Sequence, residues 1–287
     1  MTSGLELVSS HRVHNGQQCF YRHTSAVIGL PMRFAVFKPD QVTPAPMPAL
    51  FYLAGLTCTE ETFPIKAGAQ RLASALGMML IAPDTSPRGA GVPGEDDNWD
   101  FGTGAGFYVD ATELPWRTHY QMYSYIVDEL YGLVTGDLGG DPSRIGIFGH
   151  SMGGHGALVL ALRNPAKFRS VSAFAPIAAP SQCPWGKKAF VGYLGDDTSA
   201  WAAYDASMLM RDATCPFPAG ILVDQGLADN FLRDGQLYPD VFEQACAAAR
   251  QPLQLRRHEG FDHGYYFIST FVDDHIRFHA RNLGLSS

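Results

Sequence analysis

Three residue types, remote in the chain, suffice for covalent acyl chemistry if the fold brings them together: a serine to attack, a histidine to take its proton and a carboxylate to orient the histidine. The serine is marked by Gly149-His150-Ser151-Met152-Gly153, a G-x-S-x-G spacing. With an apolar, β-branched run at 144–148 before it and a small-residue run at 152–162 after it, that spacing predicts a sharp strand-to-helix turn carrying the Ser151 hydroxyl at its tip. A side chain at such a tip is strained, so its neighbours must be small: Gly149 and Gly153 flank it, and Gly154, Gly156 and Ala157 let the helix approach its strand. The helix N-terminus would offer free N–H groups and a positive dipole end to a developing oxyanion. The spacing alone recurs by chance in Gly-rich loops, and the strand and helix on either side are what give it weight here.

The base is sought among ten histidines. In chains with this elbow the acid and the histidine follow the serine in sequence, which excludes His11, His14, His23, His119 and His150. His155 lies one helical turn past Ser151 and reads as a packing or capping residue. His258 and His263 both fall at the end of the run 253–258 or just beyond it, and His263 is favoured because Gly260 and Gly264 bracket it on a turn. His275 and His279 share one face of the last helix, a spacing able to bind metal, but no third ligand is evident. A solvated helix face is expected there, with no metal and no cofactor. For the carboxylate, the run 221–223 ends in Asp224 and, five residues on, Asp229. Asp229, in the loop, is favoured as the partner of His263, and Asp224 is expected to brace the turn. The oxyanion donors are expected to be the N–H groups of Met152, after the nucleophile, and of Leu56, in the turn that follows an apolar run at 49–54.

Elements able to position these groups are legible as an alternation. Strands at 18–22 and 31–38 lead through a proline-rich turn (Pro44, Pro46, Pro48) into 49–54. Helices at 67–76, 118–134, 152–162, 235–250 and 266–282 then alternate with strands at 78–82, 144–148, 170–175, 220–224 and 253–258. The pattern implies a mostly parallel sheet covered on both faces, with ligands outside the carboxyl ends of its strands. Two segments, 85–116 and 177–215, are too long for routine connections and are expected to roof the site. No linker divides the 287 residues, so a single domain, 1–287, carrying these two insertions is expected.

Composition narrows the function further. A hydrophobic content of 46% supports a sizeable core, and a formal charge of −7 argues against a general nucleic-acid binder. No stretch has the character of a leader peptide or a membrane span, so a cytoplasmic protein is expected. The five cysteines lack C-x-x-C spacing and indicate neither a disulfide framework nor a zinc site.

Five ordered segments together resemble the S-formylglutathione hydrolase (esterase D) family of α/β-hydrolases: Leu53-Ala54-Gly55-Leu56-Thr57-Cys58-Thr59-Glu60, the elbow from Phe148 to Leu158, Cys183-Pro184-Trp185-Gly186-Lys187-Lys188, Asp224-Gln225-Gly226-Leu227-Ala228-Asp229, and Phe261-Asp262-His263-Gly264-Tyr265. The resemblance implies a cofactor-free serine thioesterase that cleaves S-formylglutathione to glutathione and formate in formaldehyde detoxification, often as a cytoplasmic homodimer. It assigns Ser151, Asp229 and His263 to a triad and Leu56 and Met152 to the oxyanion hole. Ala54 and Ala175 depart from the family pattern, which has serine and asparagine there. A formyl group is small, so Trp99 and Trp185 are expected to narrow the acyl side, while Lys66, Lys187, Lys188 or Arg88 would meet glutathione carboxylates. Cys58, near the oxyanion turn, is expected to lower activity when alkylated or glutathionylated. The competing readings are a short-chain carboxylesterase, an acyltransferase and a non-catalytic module of the same fold.

Overall fold

The computed structural model describes residues 4–41 and 45–285. Its strands are β1 (Glu6–Arg12), β2 (Gly16–Thr24), β3 (Pro31–Pro39), β4 (Met47–Leu53), β5 (Met79–Pro83), β6 (Gly140–His150), β7 (Ser170–Phe174), β8 (Ile221–Gly226) and β9 (Leu253–His258). All belong to one sheet in the order β1-β2-β3-β5-β4-β6-β7-β8-β9. From β5 to β9 in that order every pair is parallel; β1, β2 and β3 extend the sheet in antiparallel fashion. This is the α/β-hydrolase fold expected from the alternation and the resemblance.

Strands β4, β7 and β8 are buried along their whole length, and β4 is correspondingly a continuous apolar run, while β7 buries Ser170 and Ser172 and β8 buries Asp224 and Gln225. The two faces can be read from neighbours on β6, because successive side chains of a strand point opposite ways. At Gly149 a Cβ would lie 2.2 Å from the Gly153 carbonyl oxygen, so this face carries the elbow helix Met152–Arg163. One residue earlier, Phe148 packs against His279 of the C-terminal helix Tyr265–Asn282, with ring centroids 5.6 Å apart. Helices therefore cover both faces.

Several elements differ from the sequence reading for identifiable reasons. Strand β1 went unread because its residues are almost all exposed and show no apolar alternation. Pro44 lies outside the described residues, and Pro48 belongs to β4 rather than to a turn, at a register irregularity where its missing N–H costs no ladder bond. The helix expected over 118–134 starts only at Met122, because residues 110 and 121 form a bridge and Ala111 donates to the Tyr120 carbonyl at 2.8 Å. It then widens into a π-helical turn over Tyr125–Leu130 and ends at Gly136. The solvated face expected at His275 and His279 is the reverse of what is found: both are completely buried. Ser170, Ser172 and Gly146 are small enough to admit the two imidazoles, and the serines bond them. Ser170 Oγ lies 2.6 Å from His279 Nδ1, and Ser172 Oγ lies 2.8 Å from both His279 Nε2 and His275 Nδ1.

The long segments are tied to one another. Tyr193, on the helix Pro184–Leu194, accepts from Gly102 N–H at 2.9 Å and donates to the Ala105 carbonyl at 3.0 Å. The Trp99 and Trp185 indoles meet at right angles with centroids 5.6 Å apart.

Candidate active site

Ser151 leaves β6 with φ 58° and ψ −120°, a conformation L side chains rarely adopt, and the surroundings hold it there. Its N–H donates to the Phe174 carbonyl at 3.0 Å, and its carbonyl accepts from His155 and Ile177 at 3.0 and 3.2 Å. A Cβ at position 153 would fall 1.9 Å from the Leu53 carbonyl oxygen, so only glycine lets the elbow pass the end of β4.

The acid arises two strands further along the sheet edge. Asp229 follows β8, is fully buried and caps the short helix Asn230–Arg233: Oδ1 accepts from Phe231 N–H at 2.8 Å and Leu232 N–H at 3.4 Å. Its other oxygen, Oδ2, accepts from Gln225 Nε2 at 3.2 Å and lies 2.6 Å from His263 Nδ1. A carboxylate so occupied accepts the Nδ1 proton, which leaves His263 Nε2 as the basic nitrogen. That nitrogen is buried and has no hydrogen-bond partner among the described residues. The ring is held edge-on by Phe231, at a centroid distance of 4.8 Å, and by the tilted imidazole of His150 at 4.4 Å.

Ser151 and His263 line one cavity of about 270 Å³, walled also by Leu56, Cys58, Trp99, His150, Trp185, Phe231 and Tyr265. Met152 occupies the first turn of the elbow helix, whose N–H groups have no intrahelical acceptor. The Leu56 N–H likewise has no hydrogen-bond acceptor among the described residues, whereas its neighbour Thr57 donates to the Gly104 carbonyl at 2.9 Å. His150 is kept neutral by its burial and then by the adjacent His263, which push its pKa well below the usual imidazole value.

The Esterase family model matches residues 25–278. The S-formylglutathione hydrolase of Rattus norvegicus is 55% identical over 97% of this chain and 99% of its own length. That of Paracoccus denitrificans is 49% identical over 99% of this chain and its full length. A solved S-formylglutathione hydrolase from Agrobacterium tumefaciens superposes with a TM-score of 0.93 at 49% identity, covering 96% of this chain and 99% of that one. The chain belongs to the S-formylglutathione hydrolase family.

As a member of that family it is a hydrolase, and the remaining residues can be sorted by where they stand. Trp99 and Trp185 line the cavity. Lys66 and Lys187 do not: both are exposed, and Lys66 lies 5.6 Å above the Tyr265 ring. Lys188 is paired with Asp100, and Arg88 is paired with Asp84 through two of its nitrogens at 2.8 Å, so neither is free for a ligand carboxylate. Asp224 does not brace a turn. It is buried among Arg256, His275 and His258 and bonded to Arg256 at 2.5 and 2.6 Å; against the upward push of its burial, hydrogen bonds from His275 and Arg256 hold its carboxyl well below the usual range. Cys58 is half-buried in the cavity wall, and burial pushes its thiol pKa up. Ala54 and Ala175 are buried outside the cavity walls. Phe231 and Tyr265 were not singled out in the sequence, yet each stands two residues after a triad candidate, and that position was the available signal. Among the described residues no group of three or more His, Cys, Asp or Glu could hold a metal, and no helix is long and apolar enough to cross a membrane.

Proposed function

We propose that this protein hydrolyses S-formylglutathione to glutathione and formate, with Ser151 as nucleophile, His263 as general base and acid, and Asp229 orienting the imidazole. The Ser151 oxygen bonds to the formyl carbon while its proton passes to His263 Nε2. The oxyanion is received by the N–H groups of Leu56 and Met152. Collapse breaks the carbon–sulfur bond, and the thiolate takes the proton from His263. With a thiol pKa near ~8.5 the leaving group needs less protonation than an alkoxide would. Water then bonds to the formyl carbon as His263 takes its proton, and Ser151 is released with formate.

The observation that carries the reading is the 2.6 Å contact between His263 and Asp229 in the cavity Ser151 lines, in a chain 55% identical to a named S-formylglutathione hydrolase. The aromatic wall of Trp99 and Trp185 suits a small acyl group. The resemblance extends the proposal to one domain, residues 1–287, acting as a cytoplasmic homodimer, which analytical ultracentrifugation of the purified protein checks.

The deciding comparison is kcat/KM for S-formylglutathione against p-nitrophenyl acetate, with and without added alcohol. The thioester is expected to be strongly preferred and alcohol to have no effect. Preference for the aryl ester would favour a carboxylesterase, and alcohol-dependent ester formation an acyltransferase. Ser151→Ala is expected to remove turnover by a factor on the order of 10⁴ or more.

A further inference from the structure

A second cleft, of about 450 Å³, opens beside the active site and is lined by charge rather than by aromatic rings. Its walls come from β2 and the start of β3 (Arg22, Arg33), the continuation of the oxyanion turn (Glu60, Glu61) and the loop after β5 (Asp84, Arg88). Because β3 runs antiparallel to β5 with Phe34 opposite Pro83, the start of β3 lies at the carboxyl end of β5. The cleft therefore shares the sheet edge from which Ser151 rises. In the sheet order β5 is two strands and β3 three strands from β6. With strands spaced ~4.8 Å apart the cleft begins about 10 Å along the edge from the nucleophile, and the strand of Arg33 lies about 14 Å from it, within the added reach of the arginine side chain. Residues 55–58 wall the active-site cavity, and the next three, 59–61, wall the cleft.

Half of its six charges are already matched: Arg22 is bonded to Glu6, and Arg88 to Asp84 and to the Cys58 carbonyl. Glu61 is exposed to solvent at the mouth and makes no side-chain hydrogen bond among the described residues. The other two, Glu60 and Arg33, stand together. The Glu60 side chain is only 5% exposed yet makes no hydrogen bond to another side chain among the described residues, and its nearest cation, Arg33, stands 3.8 Å off, too far for a hydrogen bond. Arg33 is half-exposed and makes no side-chain hydrogen bond either. Burial and the nearby Asp84 raise the Glu60 pKa, the behaviour of a carboxylate short of positive charge. A buried anion and an adjacent rim cation, both with unused bonding capacity, are complementary to a ligand that carries an ammonium and a carboxylate on one carbon.

The γ-linkage of glutathione leaves that group free at the end of its glutamyl arm. We propose that the cleft seats this γ-glutamyl head, with Glu60 receiving the α-ammonium and Arg33 the α-carboxylate. The proposal rests on the thioesterase reading and deepens it: the thiol half of the substrate lies across the oxyanion turn, and its far end is recognised by groups outside the catalytic cavity. The cysteinyl side chain and the γ-glutamyl arm, extended, bridge the separation of the two sites.

The test compares S-formylglutathione with S-formyl-N-acetylcysteinylglycine, in which an acetyl group replaces the γ-glutamyl arm. In the wild-type enzyme the truncated thioester is expected to lose roughly tenfold or more in kcat/KM, chiefly through KM. In Glu60→Gln and in Arg33→Met the two substrates are expected to converge, with Arg33→Lys restoring part of the difference. The truncated substrate reports the integrity of each variant, and the rim variant guards against a folding defect at Glu60. No preference in the wild type, an undiminished preference in both variants, or equal loss on both substrates would overturn the proposal while leaving the thioesterase reading intact. Failure of the wild type to turn over either thioester, with an aryl ester still hydrolysed, would sink that reading and this inference together.

Discussion

His263 and Asp229 are joined by a 2.6 Å contact whose acceptor also binds Gln225, while the other carboxylate oxygen caps the helix that begins at Asn230. The imidazole is thus oriented by a group that is itself immobilised by backbone N–H donors. Asp229→Asn keeps the volume of the side chain but cannot accept the Nδ1 proton through its amide nitrogen, which favours the wrong tautomer. The expected result is a fall in kcat by a factor on the order of 10⁴, with KM changed far less, measured by steady-state hydrolysis. A variant within tenfold of the parent would remove Asp229 from the proposed cycle.

The indole walls lead to a prediction about acyl size. Trp185 lines the cavity, packs on Phe231 with ring centroids 4.7 Å apart, and meets Trp99 edge-on. Trp185→Ala is expected to raise kcat/KM for p-nitrophenyl butyrate relative to the acetate by roughly tenfold, the discrimination that one or two methylenes carry in an apolar pocket. An unchanged ratio would place the acyl pocket elsewhere.

Stability is expected to fall with acid well before the carboxylates titrate. His150, His155, His275 and His279 are all fully buried with pKa values pushed down by that burial, His155 to about 4. In the unfolded chain each would take a proton near pH 6.5, so below that value the unfolded state binds more protons than the folded one. The stabilisation is complete above pH 6.5 and drains away as the pH falls toward the folded values. His155 alone accounts for a change on the order of 3 kcal/mol. Urea midpoints at pH 7.5, 5.5 and 4.5 check the trend; a flat profile above pH 5 would contradict it.

Cys58 shares the cavity wall with Leu56, and burial keeps its thiol protonated at neutral pH. Complete maleimide labelling of Cys58 is expected to remove more than half of the turnover, with the labelling rate rising as pH approaches the thiol pKa. In Cys58→Ser the same treatment should cause no loss. Full labelling of Cys58 with turnover intact would show that the wall has room to spare.

Much of the site was legible because its residues stand where strands release the chain. Ser151 is marked by glycines that the elbow requires, Asp229 and His263 fall where β8 and β9 release the chain, and β9 has the bounds read for it. What escaped depended on partners distant in sequence. The spacing of His275 and His279 on one helix face says nothing about whether water or a neighbouring strand lies opposite. Only the small residues Gly146, Ser170 and Ser172 across the sheet make room for both rings. The helix expected from Thr118 gives up its first turn to a bridge with residue 110, a tertiary contact that local periodicity does not encode. Arg33 and Glu60 were invisible as a pair because they lie on segments 27 residues apart that meet only at the sheet edge.

The perpendicular meeting of Trp99 and Trp185 joins two excursions that leave the sheet from different strands. Under the proposed function, reactivity and acyl selectivity are thereby housed in separate parts of the architecture, the first at the ends of the sheet strands, the second in outlying loops. Acyl preference in this scaffold is open to redesign by exchanging loop sequences, without reopening the problem of how the nucleophile is held.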